Sequence, residues 1–306
     1  MILMRASCHK EGECNQKEAV TCAVNECIEK GILKDVLEKH RAEVVDMFLT
    51  TFDKKMYEEA LREEGSAMEI TTMKFKEQNK RKAITFSYDD GVTQDIRLIE
   101  LLNKYGLKCT FNLNSELLGK PGILIRENQR ISHYKVHPQD VRYIYDGHEV
   151  AVHTLTHPNL TTLDEAEIIR QVEQDRMKLS ELVGYEVVGM AYPCGGINND
   201  DRVAEIIKNN TGVRYSRTIT NTDSFEMQKN LYRFNPNVYH ILEYDRLMKM
   251  GEAFVSLEAE TPQIFYIWGH SYEMDYRPDY WSKLEDFFAL ISNKDDIFYG
   301  TNAEVL

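Results

Sequence analysis

Two adjacent carboxylates, Asp89 and Asp90, close the run Ala83-Ile84-Thr85-Phe86-Ser87-Tyr88 and are followed by Gly91. The run is apolar, hydroxyl-bearing and aromatic, the texture of a buried strand. Neighbours along a strand point to opposite faces, so the two aspartates are not expected to share one job. Where the chain leaves the sheet both can turn into a common cleft, the place where barrels and open α/β sheets put their chemistry. The bland alternative is an acidic turn, since Asp-Gly is a common one. Further on, His153 and His157 follow the strand-like "EVAVH". Imidazoles four residues apart lie on one side of a helical turn or tight loop, a spacing that lets both reach one metal ion. His133 and His137 have the same spacing and also a following proline. They stand in a long connection with no strand to fix them, so His153 and His157 are preferred. Two imidazoles and one strand-end carboxylate make three protein ligands, the composition of a catalytic rather than a structural metal site.

The elements that must hold these residues are strands alternating with helices. After the first strand, 83–88, a helix is expected over 93–105 with Ile96, Ile99 and Leu102 on its inner side, closed by Gly106. Strands follow at 108–113 and 149–153, then a long helix opened by a capping box from Thr162 to Glu165. Strands at 187–192, 213–217 and 263–270 and helices at 200–209 and 279–292 complete the pattern, with an irregular stretch before the last strand. Such alternation means parallel strands, and five or more units make a (β/α) barrel, complete or incomplete. Upstream, residues 16–64 are rich in Glu and Lys with helical stripes such as Val20, Ala23, Val24, Cys27 and Ile28, and hold no catalytic constellation. The expected organisation is a helical segment over 1–70 and a barrel domain over 71–306.

A chain of 306 residues with net charge −13 can bury a full core and argues against a general nucleic-acid binder. The basic cluster Lys74, Lys76, Lys80, Arg81 and Lys82 reads as a solvated linker before the first strand. Cysteines at 8, 14, 22, 27, 109 and 194 form no C-x-x-C pair, so free thiols in a reducing compartment are expected. The apolar start Met1 to Met4 is too short for a signal peptide and no run approaches a membrane span, which gives a cytoplasmic expectation. The chain ends at Leu306, before the helix expected to close a barrel, and is read as open to truncation there.

Asp89-Asp90-Gly91, His153-x-x-x-His157, Tyr192-Pro193-Cys194-Gly195 and Trp268-Gly269-His270 stand in the order found in polysaccharide deacetylases. Residues from about 75 to 306 resemble this family, the chitooligosaccharide-deacetylase group of carbohydrate esterases. The resemblance implies a distorted (β/α) barrel. It implies a divalent metal, usually zinc and in relatives also cobalt or nickel, on Asp90, His153 and His157. It makes Asp89 the general base, His270 the general acid and the backbone N–H of Cys194 the oxyanion donor. The physics agrees: a metal ion polarises a poorly electrophilic amide carbonyl and acidifies water, while a carboxylate and an imidazole move the protons. The Cys194 side chain, between Pro and Gly-Gly, is read as filling a turn rather than as a nucleophile. Separately, residues from roughly 15 to 65 resemble the C-terminal helical segment of the recombination-promoting nuclease family. That family's nuclease core has no counterpart here, so no nuclease function is carried over.

Two departures stand out. Where the family's third motif often carries an arginine pinning the base aspartate, this chain has Ala191, and Arg217 at the end of the next strand is expected to reach the same place. The fourth motif, which tunes the acid histidine, is not recognisable; Glu273 or Asp275 could substitute for it, but both are read in preference as solvated loop charges. The expected function is removal of N-acetyl or O-acetyl groups from an oligo- or polysaccharide. The rivals are hydrolysis of another small or cyclic amide at the same metal site, and a metal-free interaction protein.

Overall fold

β1 (Lys82–Asp89) is buried along its whole length, which requires cover on both faces and leaves its polar groups no solvent. The computed structural model describes Lys74 and residues 78–306 apart from Glu127, all within the unit Thr71–Leu306. The helical stripes and the second resemblance noted for the N-terminal residues lie outside the described residues. After β1 come α1 (Asp95–Lys104), β2 (Cys109–Leu113), the hairpin β3 (Ile123–Arg126) and β4 (Gln129–Ser132), and α2 (Val141–Ile144). β5 (Glu149–Val152), α3 (Glu165–Val183), β6 (Gly189–Ala191), α4 (Asp201–Asn210) and β7 (Tyr215–Arg217) follow. The chain ends through β8 (Val238–Tyr239), α5 (Tyr244–Ser256), β9 (Gln263–Gly269), α6 (Tyr280–Ile291), β10 (Ile297–Tyr299) and α7 (Asn302–Val305).

The main sheet runs β7-β6-β5-β2-β1-β9-β8 with every described pairing parallel. β1 is paired with β9 along one edge; its other edge is divided between β10, against Lys82 to Ile84, and β2, against Phe86 to Asp89. The curled sheet is drawn together at its ends by Phe234, whose N–H donates to Ser216 O and whose carbonyl accepts from Thr218 N–H beside β7, both at 2.9 Å. A few residues on, β8 pairs with β9. This is the distorted barrel of parallel strands expected. Its apolar core packs α6 onto β1, with the Phe86 ring edge-on to Phe288 at 5.3 Å. No described helix is long and apolar enough to cross a membrane.

Several local expectations change. The inner side of α1 is Leu98, Ile99 and Leu102, while Ile96 faces solvent at 44% exposure. The N-cap of α3 is Asp164, whose carboxylate accepts from Glu167 N–H; Thr162 instead bonds back to Asn159 O in a short 3-10 turn, which uses up its hydroxyl. Lys82 is no linker residue, since it is buried in β1 with its ammonium on Val255 O and Asp296. The stretch read as irregular contains α5, whose Gly251 is there because a Cβ would come within 2.8 Å of Phe287. A glycine that weakens the helical signal is thus a packing requirement.

Candidate metal centre and active site

The C-terminal ends of five parallel strands deliver the polar residues singled out in the sequence. Asp90 leaves β1, and His153 and His157 follow β5. One donor atom from each of these three lies within 4.8 Å of the others. The imidazole of His153 is buried and its Nδ1 is 2.8 Å from Ala191 O. A carbonyl only accepts, so Nδ1 carries the proton and Nε2 keeps its lone pair for a metal. Burial lowers the pKa of His153 to about 4 and lowers that of His157, so both rings are neutral at pH 7. Burial alone would raise the Asp90 carboxyl, but the His133 hydrogen bond and the Lys135 ammonium hold it well below the usual range. An ionised carboxylate with two neutral imidazoles is a donor set suited to a divalent cation.

The backbone is strained where the ligands stand. Asp90 has φ +85°, Thr154 +69°, His157 +64° and Cys194 +70°, all left-handed values costly for side-chain-bearing residues. Each strained turn is held: Asp90 N–H donates to Asn112 O at 3.0 Å and His157 N–H to Thr154 Oγ1 at 3.1 Å. The rival histidine pair is divided. His137 Nδ1 accepts from Gln139 N–H at the start of a short turn, whereas the His133 ring reaches Asp90 Oδ2 at 3.1 Å.

Asp89 turns the other way. Arg217, fully buried at the end of β7, places Nη2 at 2.6 Å from both Asp89 oxygens, its Nε on Ser87 Oγ and its guanidinium over Trp268. Asn112 Nδ2 donates to Asp89 Oδ1 at 2.8 Å. Burial pushes the Asp89 carboxyl up, but Arg217 and the nearby His153 and His270 more than offset it, leaving the pKa lowered. Arg217 therefore occupies the place that Ala191 cannot fill. Ala191 contributes only its carbonyl, to His153.

His270 follows β9. Its Nδ1 is 2.9 Å from Tyr239 Oη and 3.4 Å from Glu273 Oε2. Burial depresses this imidazole, yet the carboxylates of Glu273, Asp90 and Asp89 outweigh that and raise it to about 9. Of the two readings open for Glu273, the substitute for the missing motif fits and the solvated loop charge does not. It is 5% exposed, and its carboxylate takes Tyr239 Oη and His240 Nε2, both at 2.5 Å. Burial would raise Glu273, but the two histidines hold it below the ordinary carboxylate range. Asp275 is exposed and binds Gln94 and Trp281. Tyr239 and His240 were missed, because β8 is two residues long and breaks no pattern. Gly269 was a usable signal: a Cβ there would meet the His240 ring at 1.9 Å.

After β6, Asn198 Nδ2 donates to the carbonyls of Tyr192, Pro193 and Cys194 and so fixes the loop that aims the Cys194 N–H. Among the described residues that N–H has no protein acceptor. The Cys194 thiol donates to His157 O and its pKa is raised by burial, which suits a filler rather than a nucleophile.

The parallel barrel thus carries at its strand ends an Asp/His/His cluster with the donor set for a divalent metal ion, beside a separately braced carboxylate and imidazole. The sequence profile of the polysaccharide deacetylase family matches residues 76–215, a little under half of the chain. A peptidoglycan-N-acetylglucosamine deacetylase, PgdA of Listeria monocytogenes, is 28% identical over 145 residues, 46% of this chain and 27% of that protein. A peptidoglycan-N-acetylmuramic acid deacetylase, PdaC of Bacillus subtilis, is 26% identical over 180 residues, 57% of this chain and 33% of that protein. The chain thus spans a third or less of the length of these curated relatives. A crystal structure from Mycobacterium smegmatis described as a polysaccharide deacetylase shares the fold with TM-score 0.52 at 17% identity, covering 72% of this chain and 87% of that one. The profile match ends before Arg217, His240, His270 and Glu273.

Proposed function

We propose that the chain is a metal-dependent hydrolase that removes acetyl groups from the amide nitrogens of N-acetylated sugar units. The observation that carries this is the opposite displacement of two groups: Asp89 is held ionised beside Arg217, while His270 is raised to about 9 by Glu273 and its neighbours. Environments that push a base and an acid apart are how one site does both proton transfers near neutral pH. Asp90, His153 and His157 hold the divalent cation, zinc being the ion best matched to this N/O set. When bound, the cation supplies Lewis acidity toward the acetyl carbonyl and acidifies water. Asp89 takes the proton of the attacking water, and Arg217 and Asn112 keep its carboxylate aimed. The Cys194 N–H donates to the oxygen that gains charge. His270 gives its proton to the departing nitrogen, so amide and water become acetate and free amine.

Incubation with N-acetylglucosamine oligomers and with peptidoglycan fragments tests this by acetate release. Zinc uptake without acetate from any acetylated sugar sinks the deacetylase reading and leaves only a metal site.

The pH profile gives a sharper check. His270 is protonated below about 9, so activity falls as pH rises through that value. Glu273→Gln removes the main charge holding the proton, and the alkaline limb is expected to move toward the ordinary imidazole range near 6.5. An unmoved limb in that variant means that Glu273 does not set the acid.

Residues 1–70 are proposed to stand outside the chemistry, since no candidate site residue falls there. A chain beginning at Thr72 is expected to unfold cooperatively and bind zinc as the full chain does. Loss of the cooperative transition on shortening overturns this division.

A further inference from the structure

We propose that His133 is a positioning residue for the metal-binding carboxylate of Asp90; this rests on the metal-centre reading. The segment that follows β4 runs antiparallel beside the end of β1: Val92 bridges Lys135, Thr93 N–H donates to Tyr134 O, and Val136 N–H donates to Gly91 O, both at 2.9 Å. Successive side chains on an extended segment alternate, so His133 and Lys135 share the face toward Asp90. Lys135 Nζ is 2.7 Å from Asp90 O and 3.4 Å from Oδ1, which anchors the left-handed residue by its main chain. His133 Nε2 takes the other carboxylate oxygen, Oδ2, at 3.1 Å. An ionised carboxylate only accepts, so Nε2 carries the proton.

This divides the work of the Asp90 carboxylate. Oδ2 takes the His133 hydrogen bond at 3.1 Å, while Oδ1 faces His157 Nε2 at 3.8 Å on the side of the clustered donors, with the Lys135 ammonium 3.4 Å away. The His133 ring is itself fixed edge-on to Tyr272 at 5.0 Å, and Tyr272 lies 5.0 Å from the His270 ring. Hydrogen bonding to a ligating carboxylate fixes its orientation, and losing such a partner costs ~10–100-fold in metal affinity. His133 is not one of the three clustered donors, so its contribution is made through Asp90 rather than on the metal.

Zinc affinity measured by chelator competition on the full chain tests this, with circular dichroism to confirm folding. His133→Phe keeps a ring against Tyr272 and removes the donor, and is expected to bind zinc ~10–100-fold more weakly. His133→Gln, which restores an N–H at similar reach, is expected to recover most of that loss. Unchanged affinity in a folded His133→Phe, with stoichiometric binding in the parent, overturns the proposal and leaves the metal centre standing. A parent that binds no zinc overturns the metal centre and the proposal with it. If His133→Phe does not fold, ¹⁵N imidazole spectra of the parent decide. His153 and His157 are expected to show metal-bound nitrogens on zinc addition while His133 Nε2 keeps its proton. A metal-bound His133, or a His133 resonance indifferent to zinc, refutes it.

Discussion

His157→Ala abolishes stoichiometric zinc binding and His137→Ala leaves it intact: this is the expected result of metal analysis on the two variants. The His157 ring stands 4.9 Å from His153 and presents Nε2 to Asp90. Without it two protein donors remain, one fewer than open catalytic zinc sites use. His157 is about a third exposed, so the truncation opens no core cavity and the loss reports on binding rather than folding. His137 has the same local sequence pattern, but its ring is engaged at the start of a separate turn with Gln139. Metal lost by His137→Ala and kept by His157→Ala refutes the assignment.

Asp89→Asn and His270→Ala are each expected to lower acetate release by about 10²–10⁴-fold while retaining zinc, the usual contribution of positioned proton transfer. The two differ in stability. Asp89 faces a guanidinium with no solvent exposure, and removing one partner of such a buried pair costs about 3–5 kcal/mol. Rates for Asp89→Asn are therefore compared well below its melting temperature, with Asp89→Glu as a charge-preserving control. His270 is partly exposed at the strand end, so its truncation is expected to be cheap in stability. The single limbs of the pH profile should follow: His270→Ala loses the fall at high pH. An active His270→Ala enzyme with an unchanged profile makes His270 a core histidine and removes it from the chemistry.

The fold was legible where strands were long and fully buried. β1, β2 and β9 announce themselves because both faces need apolar or hydroxyl residues, and the helices between them carry a 3.6-residue period. The site was legible where chemistry-bearing residues end or directly follow a buried strand, as Asp89, Asp90, His153 and His270 do. Arg217 was reachable by the same reasoning, since it ends β7. What stayed hidden depends on contacts far apart in sequence. Glu273 reads as one more charge in an acidic chain until β8 brings Tyr239 and His240 against it. His133 was noticed for its spacing to His137, whereas its partner is 43 residues away and the pairing is made by a hairpin with exposed Ile123 and Ile125. In β3 the exposed positions are the isoleucines, so the strand gives no apolar-in, polar-out alternation to read.

The double engagement of β1 has a consequence for how the site ages. With β9 along one side and β10 and then β2 along the other, no part of this strand is an edge. Its amides have no route to solvent by fraying, and exchange from such a position requires the large openings that cost close to the full unfolding free energy. Asp89 and Asp90 are continuous with that strand. The carboxylates therefore stay in place through the local breathing that loosens surface turns. Of the three clustered donors only His157 lies partly exposed on a turn, so release of a bound ion is expected to start there.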